Sequence, residues 1–171
     1  MAAIVVPFRR DSGKTRLHPL PPEARAELAD AMLADVLAAC SAVAPTRVAD
    51  GLAGQDAAVR EALAGLDGPV AVVNADLPCA RPADVATLLA EAPALVAAAD
   101  GTTNALSLLD PAGFRPLYGP GSASRFEAAG LRPCRLPSLA EDVDTVADLE
   151  RLADRVGPAT RGLLESLRVR V

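Results

Sequence analysis

A chain of 171 residues is long enough for one domain with a real core, and we read residues 1–171 as a single unit. Its formal charge of -5 and aromatic content of 2% argue against a general nucleic-acid or anionic-membrane surface and against base-stacking platforms. Three cysteines, Cys40, Cys79 and Cys134, with no CxxC spacing, suggest neither a disulfide framework nor a zinc site and fit reduced thiols in a cytoplasm. No apolar run is long enough to span a membrane, and Met1 leads into a strand pattern rather than a signal peptide.

Ala2 to Val6 reads as a first buried strand, ending at Pro7. Phe8 to Pro22 is a polar loop carrying Arg9, Arg10, Asp11, Ser12, Gly13, Lys14, Thr15 and Arg16. Glu23 to Cys40 is a helix, with Leu28, Met32, Leu33, Val36 and Leu37 at helical spacing. Thr46 to Ala49 reads as a short strand, Asp50 to Gly54 as a loop and Gln55 to Leu66 as a helix. Val70 to Val73 is a buried strand that turns polar at once, at Asn74 and Asp76. Pro78 and Pro82 then open a helix to Ala92.

Ala94 to Ala98 is a further strand, Asp100 to Asn104 a polar loop and Ala105 to Leu109 a strand. Ala123 to Ala129 is a helix, Arg132 to Leu136 a strand, and helices cover Thr145–Arg155 and Thr160–Leu167. Strands that alternate with helices predict an α/β fold with a mostly parallel sheet.

Four stretches carry candidate chemistry. Asp76 lies just past the carboxyl end of a buried strand, where open α/β sheets bind ligands. A carboxylate beside the Asn74 amide suits a hard cation such as Mg²⁺, which shares its remaining ligands with phosphates. Lys14 is the single lysine among seventeen basic residues. An ammonium on a flexible stem suits a phosphate that moves during reaction, and Arg9, Arg10 and Arg16 lie beside it. Gly13-Lys14-Thr15 is not a Walker A loop, because Phe8 stands where the earlier glycine is needed.

Gly119-Pro120-Gly121-Ser122 precedes a helix, whose amides and glycines allow an anion to approach. Ser124 and Glu127 have capping-box spacing there, which leaves Ser122 free for a ligand. The alternative is an ordinary turn. In Asp142-Val143-Asp144-Thr145 the Thr145/Asp148 pair has cap spacing, so Asp142 or Asp144 remains as a second carboxylate for a metal held by Asp76, or as a solvated loop acid. The single histidine, His18, has no GxSxG partner and reads as structural.

Val6-Pro7 with Gly13-Lys14-Thr15-Arg16-Leu17, then Ala75-Asp76-Leu77-Pro78, Asp100-Gly101-Thr102-Thr103-Asn104-Ala105-Leu106, Tyr118-Gly119-Pro120-Gly121-Ser122 and Asp142-Val143-Asp144-Thr145 follow one another in order. Together they resemble the 2-phospho-L-lactate or phosphoenolpyruvate guanylyltransferases of coenzyme F420 biosynthesis over nearly the whole chain. That resemblance implies a Rossmann-like three-layer α/β/α fold of the nucleotide-diphospho-sugar transferase type. It implies GMP transfer from GTP to a small phospho-acid (phosphoenolpyruvate, 2-phospho-L-lactate or 3-phosphoglycerate) with release of pyrophosphate.

It further implies nucleotide binding at Pro7, Arg9, Lys14, Arg16, Gly54, Gln55 and Asp56, with Lys14, Arg16 and Asp76 catalytic. The acceptor falls to Thr103, Asn104, Gly119 and Ser122. Mg²⁺ falls to Asp76, with Asn74, Asp142 and Asp144 as further ligands. The implied partners are GTP, the phospho-acid and the downstream transferase that uses the activated product. The chain departs from the pattern in two places. It is short between Cys40 and Gly51, and Asn74 stands where some relatives carry a second acid. Two other readings stay open on sequence: a nucleotidyltransferase of the molybdenum-cofactor type, and a non-catalytic nucleotide-binding relative.

Overall fold

A computed structural model of the chain describes residues 1–9 and 15–169. Its strands are β1 (Ala3–Phe8), β2 (Thr46–Asp50), β3 (Val70–Val73), β4 (Ala94–Ala97), β5 (Thr103–Leu108) and β6 (Arg132–Pro133). Its α-helices are α1 (Pro22–Ser41), α2 (Gln55–Leu63), α3 (Pro82–Ala90), α4 (Ser122–Ala128), α5 (Val146–Leu152) and α6 (Pro158–Val169). One six-stranded sheet has the order β2-β1-β3-β5-β4-β6.

Successive residues of a strand face opposite sides of the sheet. Ile4, Val6, Ala71, Val73, Ala94 and Val96 therefore meet Val36 and Cys40 of α1 and Val85 and Leu88 of α3. Val5, Val70, Val72, Leu95 and Leu106 meet Val59 and Leu63 of α2 and Phe126 of α4 on the other face. The layering is α/β/α, as expected. A third apolar cluster joins Leu28 and Met32 of α1, Leu17, Cys79, Val143, and Leu149, Leu152 and Val156. It lies under the loops that follow β3 and precede α5.

β1–β2, β1–β3 and β4–β6 are parallel, whereas β3–β5 and β4–β5 are antiparallel. Five strands thus run one way and β5 runs against them. The cause is local: residues 98–102 between β4 and β5 are too few for a crossover connection, so the chain turns back beside β4. Because β5 is reversed, its first residues lie at the rim where β1 and β3 end. Asn74 N–H donates to Asn104 C=O at 2.9 Å across that rim.

Several boundaries differ from the sequence reading. β5 begins at Thr103, so Thr103 and Asn104 are strand residues and not loop. β6 is two residues long. The Ser124/Glu127 capping box does not form: α4 starts at Ser122 with Gly121 (φ +70°) as its cap and no side-chain bond. The Thr145/Asp148 box does form, with both reciprocal bonds present. No helix among the described residues is long and apolar enough to cross a membrane.

Candidate functional site

Two clefts open at the rim where β1 and β3 end. The first, of about 270 Å³, is lined by Pro7, Phe8, Arg9, Ala29, Met32, Gly51, Gly54, Gln55, Asn74, Ala75 and Asp76. The second, of about 330 Å³, is framed by Arg16, Asp100, Thr102, Thr103, Asn104, Tyr118, Gly119, Ser122, Asp142 and Asp144, together with Gln55, Asn74 and Asp76. Gln55, Asn74 and Asp76 belong to both walls. The expected nucleotide residues Pro7, Arg9, Gly54 and Gln55 fall in the first cleft, and the expected acceptor residues Thr103, Asn104, Gly119 and Ser122 in the second. Gly13 and Lys14 lie outside the described residues.

Carboxylate oxygens of Asp76, Asp142 and Asp144 come within 4.8 Å of one another. The backbone brings them there: Val143 N–H donates to the Asp76 C=O at 3.0 Å, and the Val143 side chain is fully buried in the third cluster. Glu141 anchors the other side of the loop. Its carboxylate pairs with Arg151 Nη1 and Arg155 Nη2, each at 2.6 Å, and Arg151 also reaches Asp148 at 3.1 Å. Asp144 N–H donates to Asp148 Oδ2 at 3.2 Å.

Burial, and then the neighbouring charges of Asp76 and Asp144, raise the Asp142 carboxyl above the ordinary range, against a bond donated by Asn104 Nδ2 at 3.4 Å. Like charges gathered in a half-buried pocket are costly without a counter-charge. An all-oxygen donor set of this kind fits a hard divalent cation. The three carboxylates are therefore suited to hold one.

Arg16 pairs with Asp144 at 3.2 Å and lowers the Asp100 carboxyl, after the larger effect of two hydrogen bonds from Thr102. It frames the second cleft and is absent from the lining of the first. Asp56 also stands apart from the first cleft: its Oδ1 accepts from Tyr118 N–H at 3.4 Å and so steadies the start of the Gly-Pro-Gly turn. Arg125, which sequence reading passed over, clamps the same turn. Its guanidinium donates to Pro120 C=O at 2.6 Å and twice to Leu117 C=O, at 2.8 and 3.2 Å.

Ser122 is fully buried, not free for an anion. Its hydroxyl pairs with Thr103 Oγ1 at 2.9 Å, and its amide donates to Gly119 C=O at 3.0 Å. The next amide, of Ala123, donates to Gly101 C=O at 3.1 Å. The start of α4 thus spends these amides within the protein, and Ser122 shapes the second cleft through Thr103. Tyr118 also borders this cleft, and burial raises its phenol, so it stays protonated.

Asn74 is engaged at both ends of its amide, by Gln55 and by Thr103 C=O. Met32, Gly51, Asp100 and Thr102 are further lining residues to which the sequence reading gave no role in the site. Helical spacing places Met32 in the core, where it lies fully buried, and the tertiary fold also sets it against the first cleft.

No family model matches the chain. Curated relatives do. A phosphoenolpyruvate guanylyltransferase from Nocardia farcinica is 35% identical over 205 residues, covering 96% of this chain and 91% of the relative. One from Geodermatophilus obscurus is 35% identical, covering 95% and 93%, and phosphoenolpyruvate guanylyltransferase 2 of Rhodococcus jostii is 33% identical, covering 96% and 90%. Among solved structures, one described as a nucleotide-diphospho-sugar transferase from Desulfovibrio desulfuricans superposes with a TM-score of 0.73. It is 18% identical, with 98% of this chain and 95% of that chain covered. A homologue from Mycobacterium sp. JC1 of a Mycobacterium tuberculosis protein, Rv0371c, gives 0.56 at 18% identity, with 95% and 97% covered. At such identities the structural likeness speaks for the fold.

Proposed function

The chain belongs to the phosphoenolpyruvate guanylyltransferase family, and on that footing we propose that its two clefts bring GTP and a small phospho-acid together for guanylyl transfer. The observation that carries this reading is the convergence of Asp76, Asp142 and Asp144 where the clefts meet. The nucleotide lies in the first cleft, toward Pro7, Arg9, Gly54 and Gln55. The acceptor lies in the second, toward Thr103, Asn104 and Gly119. The activated acid serves coenzyme F420 biosynthesis and passes to a downstream transferase.

Asp76, Asp142 and Asp144 would hold Mg²⁺. When bound, it supplies positive charge to the triphosphate and eases departure of pyrophosphate. The acceptor's phosphate oxygen forms a bond to the α-phosphorus of GTP, and the bond from that phosphorus to the bridging oxygen of the β-phosphate breaks. A phosphate whose second pKa is about 6 is mostly ionised at neutral pH, so no residue need remove a proton. What remains is to align two polyanions and offset their repulsion, which falls to Arg9, Lys14 and Arg16.

Incubation with GTP, Mg²⁺ and each of phosphoenolpyruvate, 2-phospho-L-lactate and 3-phosphoglycerate, with products identified by mass, tests the reading. It expects a guanylyl adduct of at least one acid. GTP binding by calorimetry with no adduct from any of the three would overturn it. Within the same reading, Ser122→Ala leaves the Thr103 hydroxyl buried without its partner. KM for the acceptor should rise about tenfold and KM for GTP much less. An equal rise for both substrates would count against Thr103 at the acceptor.

A further inference from the structure

Asn74 occupies the position where a second carboxylate would complete an acid pair with Asp76. Accepting the guanylyl-transfer reading, we propose that Asn74 is not a metal ligand but a positioning residue whose amide ties the nucleotide cleft to the acceptor cleft. Its orientation follows from its neighbours. A carbonyl oxygen can only accept, so the atom 3.1 Å from Thr103 C=O is the donating Nδ2. Oδ1 is then turned to Gln55, whose Nε2 donates to it at 2.8 Å. That bond in turn fixes Gln55, since only its NH₂ group can serve as the donor.

From this point bonds run in both directions. Gln55 is the first residue of α2 and lines the first cleft. Thr103 carries the buried hydroxyl pair with Ser122 at 2.9 Å, and Asn74 N–H is bonded to Asn104 C=O at 2.9 Å. Asn104 Nδ2 reaches Asp142 Oδ1 at 3.4 Å. One amide therefore links the nucleotide wall, the acceptor wall and the carboxylate loop. A carboxylate at this position could not donate to Thr103 C=O. It would set oxygen against oxygen across about 3 Å or swing away from Gln55. Metal ligation by Asn74 would have to use the remaining lone pair of Oδ1, beside the Gln55 Nε2–H group.

The variant Asn74→Asp separates the two roles, because an added carboxylate strengthens a site it ligates. Mn²⁺ binding to the full chain without substrates, read from the free-ion electron paramagnetic resonance signal, should tighten less than fivefold. Asp76→Ala, measured beside it, should lose binding. In steady-state kinetics Asn74→Asp should raise KM for GTP and for the acceptor about tenfold each, with kcat changed less. Tightening of Mn²⁺ by fivefold or more would overturn the proposal.

If Asn74→Asp does not fold, Gln55→Leu, which leaves the bond to Thr103 in place, decides instead. The proposal expects a rise in both KM values, and a rise for GTP alone would overturn the link between the clefts. Should the wild-type chain prove to activate no phospho-acid, the functional reading falls, and the Mn²⁺ titration still decides whether Asn74 is a ligand.

Discussion

Asp76→Ala should abolish guanylyl transfer and divalent-cation binding together, lowering kcat/KM by about a thousandfold or more, as expected when several kcal/mol of charge stabilisation is removed. The residue is common to both cleft linings and to the three-carboxylate group. Its backbone carbonyl, which holds the Val143 amide at 3.0 Å, survives the substitution. The loop that carries Asp142 and Asp144 should therefore keep its place. Removing one of three crowded negative charges should leave the thermal midpoint of the metal-free protein unchanged or raised. Kinetics, Mn²⁺ titration and thermal unfolding on one preparation check this. Near-wild-type turnover would remove Asp76 from the chemistry, and a collapse of stability would make its role structural.

Gly157→Ala is expected to destabilise the fold by about 3 kcal/mol, toward the upper end for overpacking. For a chain of this length that lowers the unfolding midpoint by about 10 °C. A Cβ at Gly157 would press into the Asp35 carboxylate, within contact of Cγ and Oδ1 and 2.8 Å from Asp35 Cβ. Asp35 cannot yield easily. It is buried, at 5% exposure, and its two oxygens accept the Ala159 and Thr160 amides at 2.9 Å each, capping α6. Gly157 N–H also donates to Pro78 C=O at 2.7 Å, two residues beyond Asp76. The start of α6 thus braces the loop of the site from below. Urea unfolding measures the loss, and a change under about 1 kcal/mol would mean that the α1–α6 contact yields more readily than its geometry implies.

Much of this was legible from residue order because local rules agreed with the fold. The apolar runs Val70–Val73 and Ala94–Ala98 are strands nearly to the residue, and Ala2–Val6 marks a strand that continues through Pro7 to Phe8. The spacing of Leu28, Met32 and Val36 gave α1, and Thr145 with Asp148 gave a cap that forms as read. That left Asp142 and Asp144 unassigned, and the structure brings both against Asp76.

What escaped is what depends on partners distant in sequence. The reversal of β5 follows from the short connection after β4, and its consequence, Asn104 beside Asn74, needs the strand order as well. Ser122 reads as free for an anion but is buried once Thr103 lies opposite it. Arg125 looks like one arginine among many until the turn wraps around it. The chain is shorter than the 205 positions over which it matches its relative from Nocardia farcinica. α1 and α2 nevertheless sit on opposite faces with only β2 and short connections between them.

Central to the proposed transfer is the meeting of two anions across a cation held by Asp76, Asp142 and Asp144. Phosphorus NMR of GTP mixed with phosphoenolpyruvate and the protein follows that meeting directly. With Mg²⁺ present, pyrophosphate should appear in one-to-one proportion to phosphoenolpyruvate consumed and to a new phosphoanhydride. None should appear when the metal or the acid is left out. Release of phosphate or pyrophosphate from GTP regardless of the acid, with phosphoenolpyruvate unchanged, would contradict it.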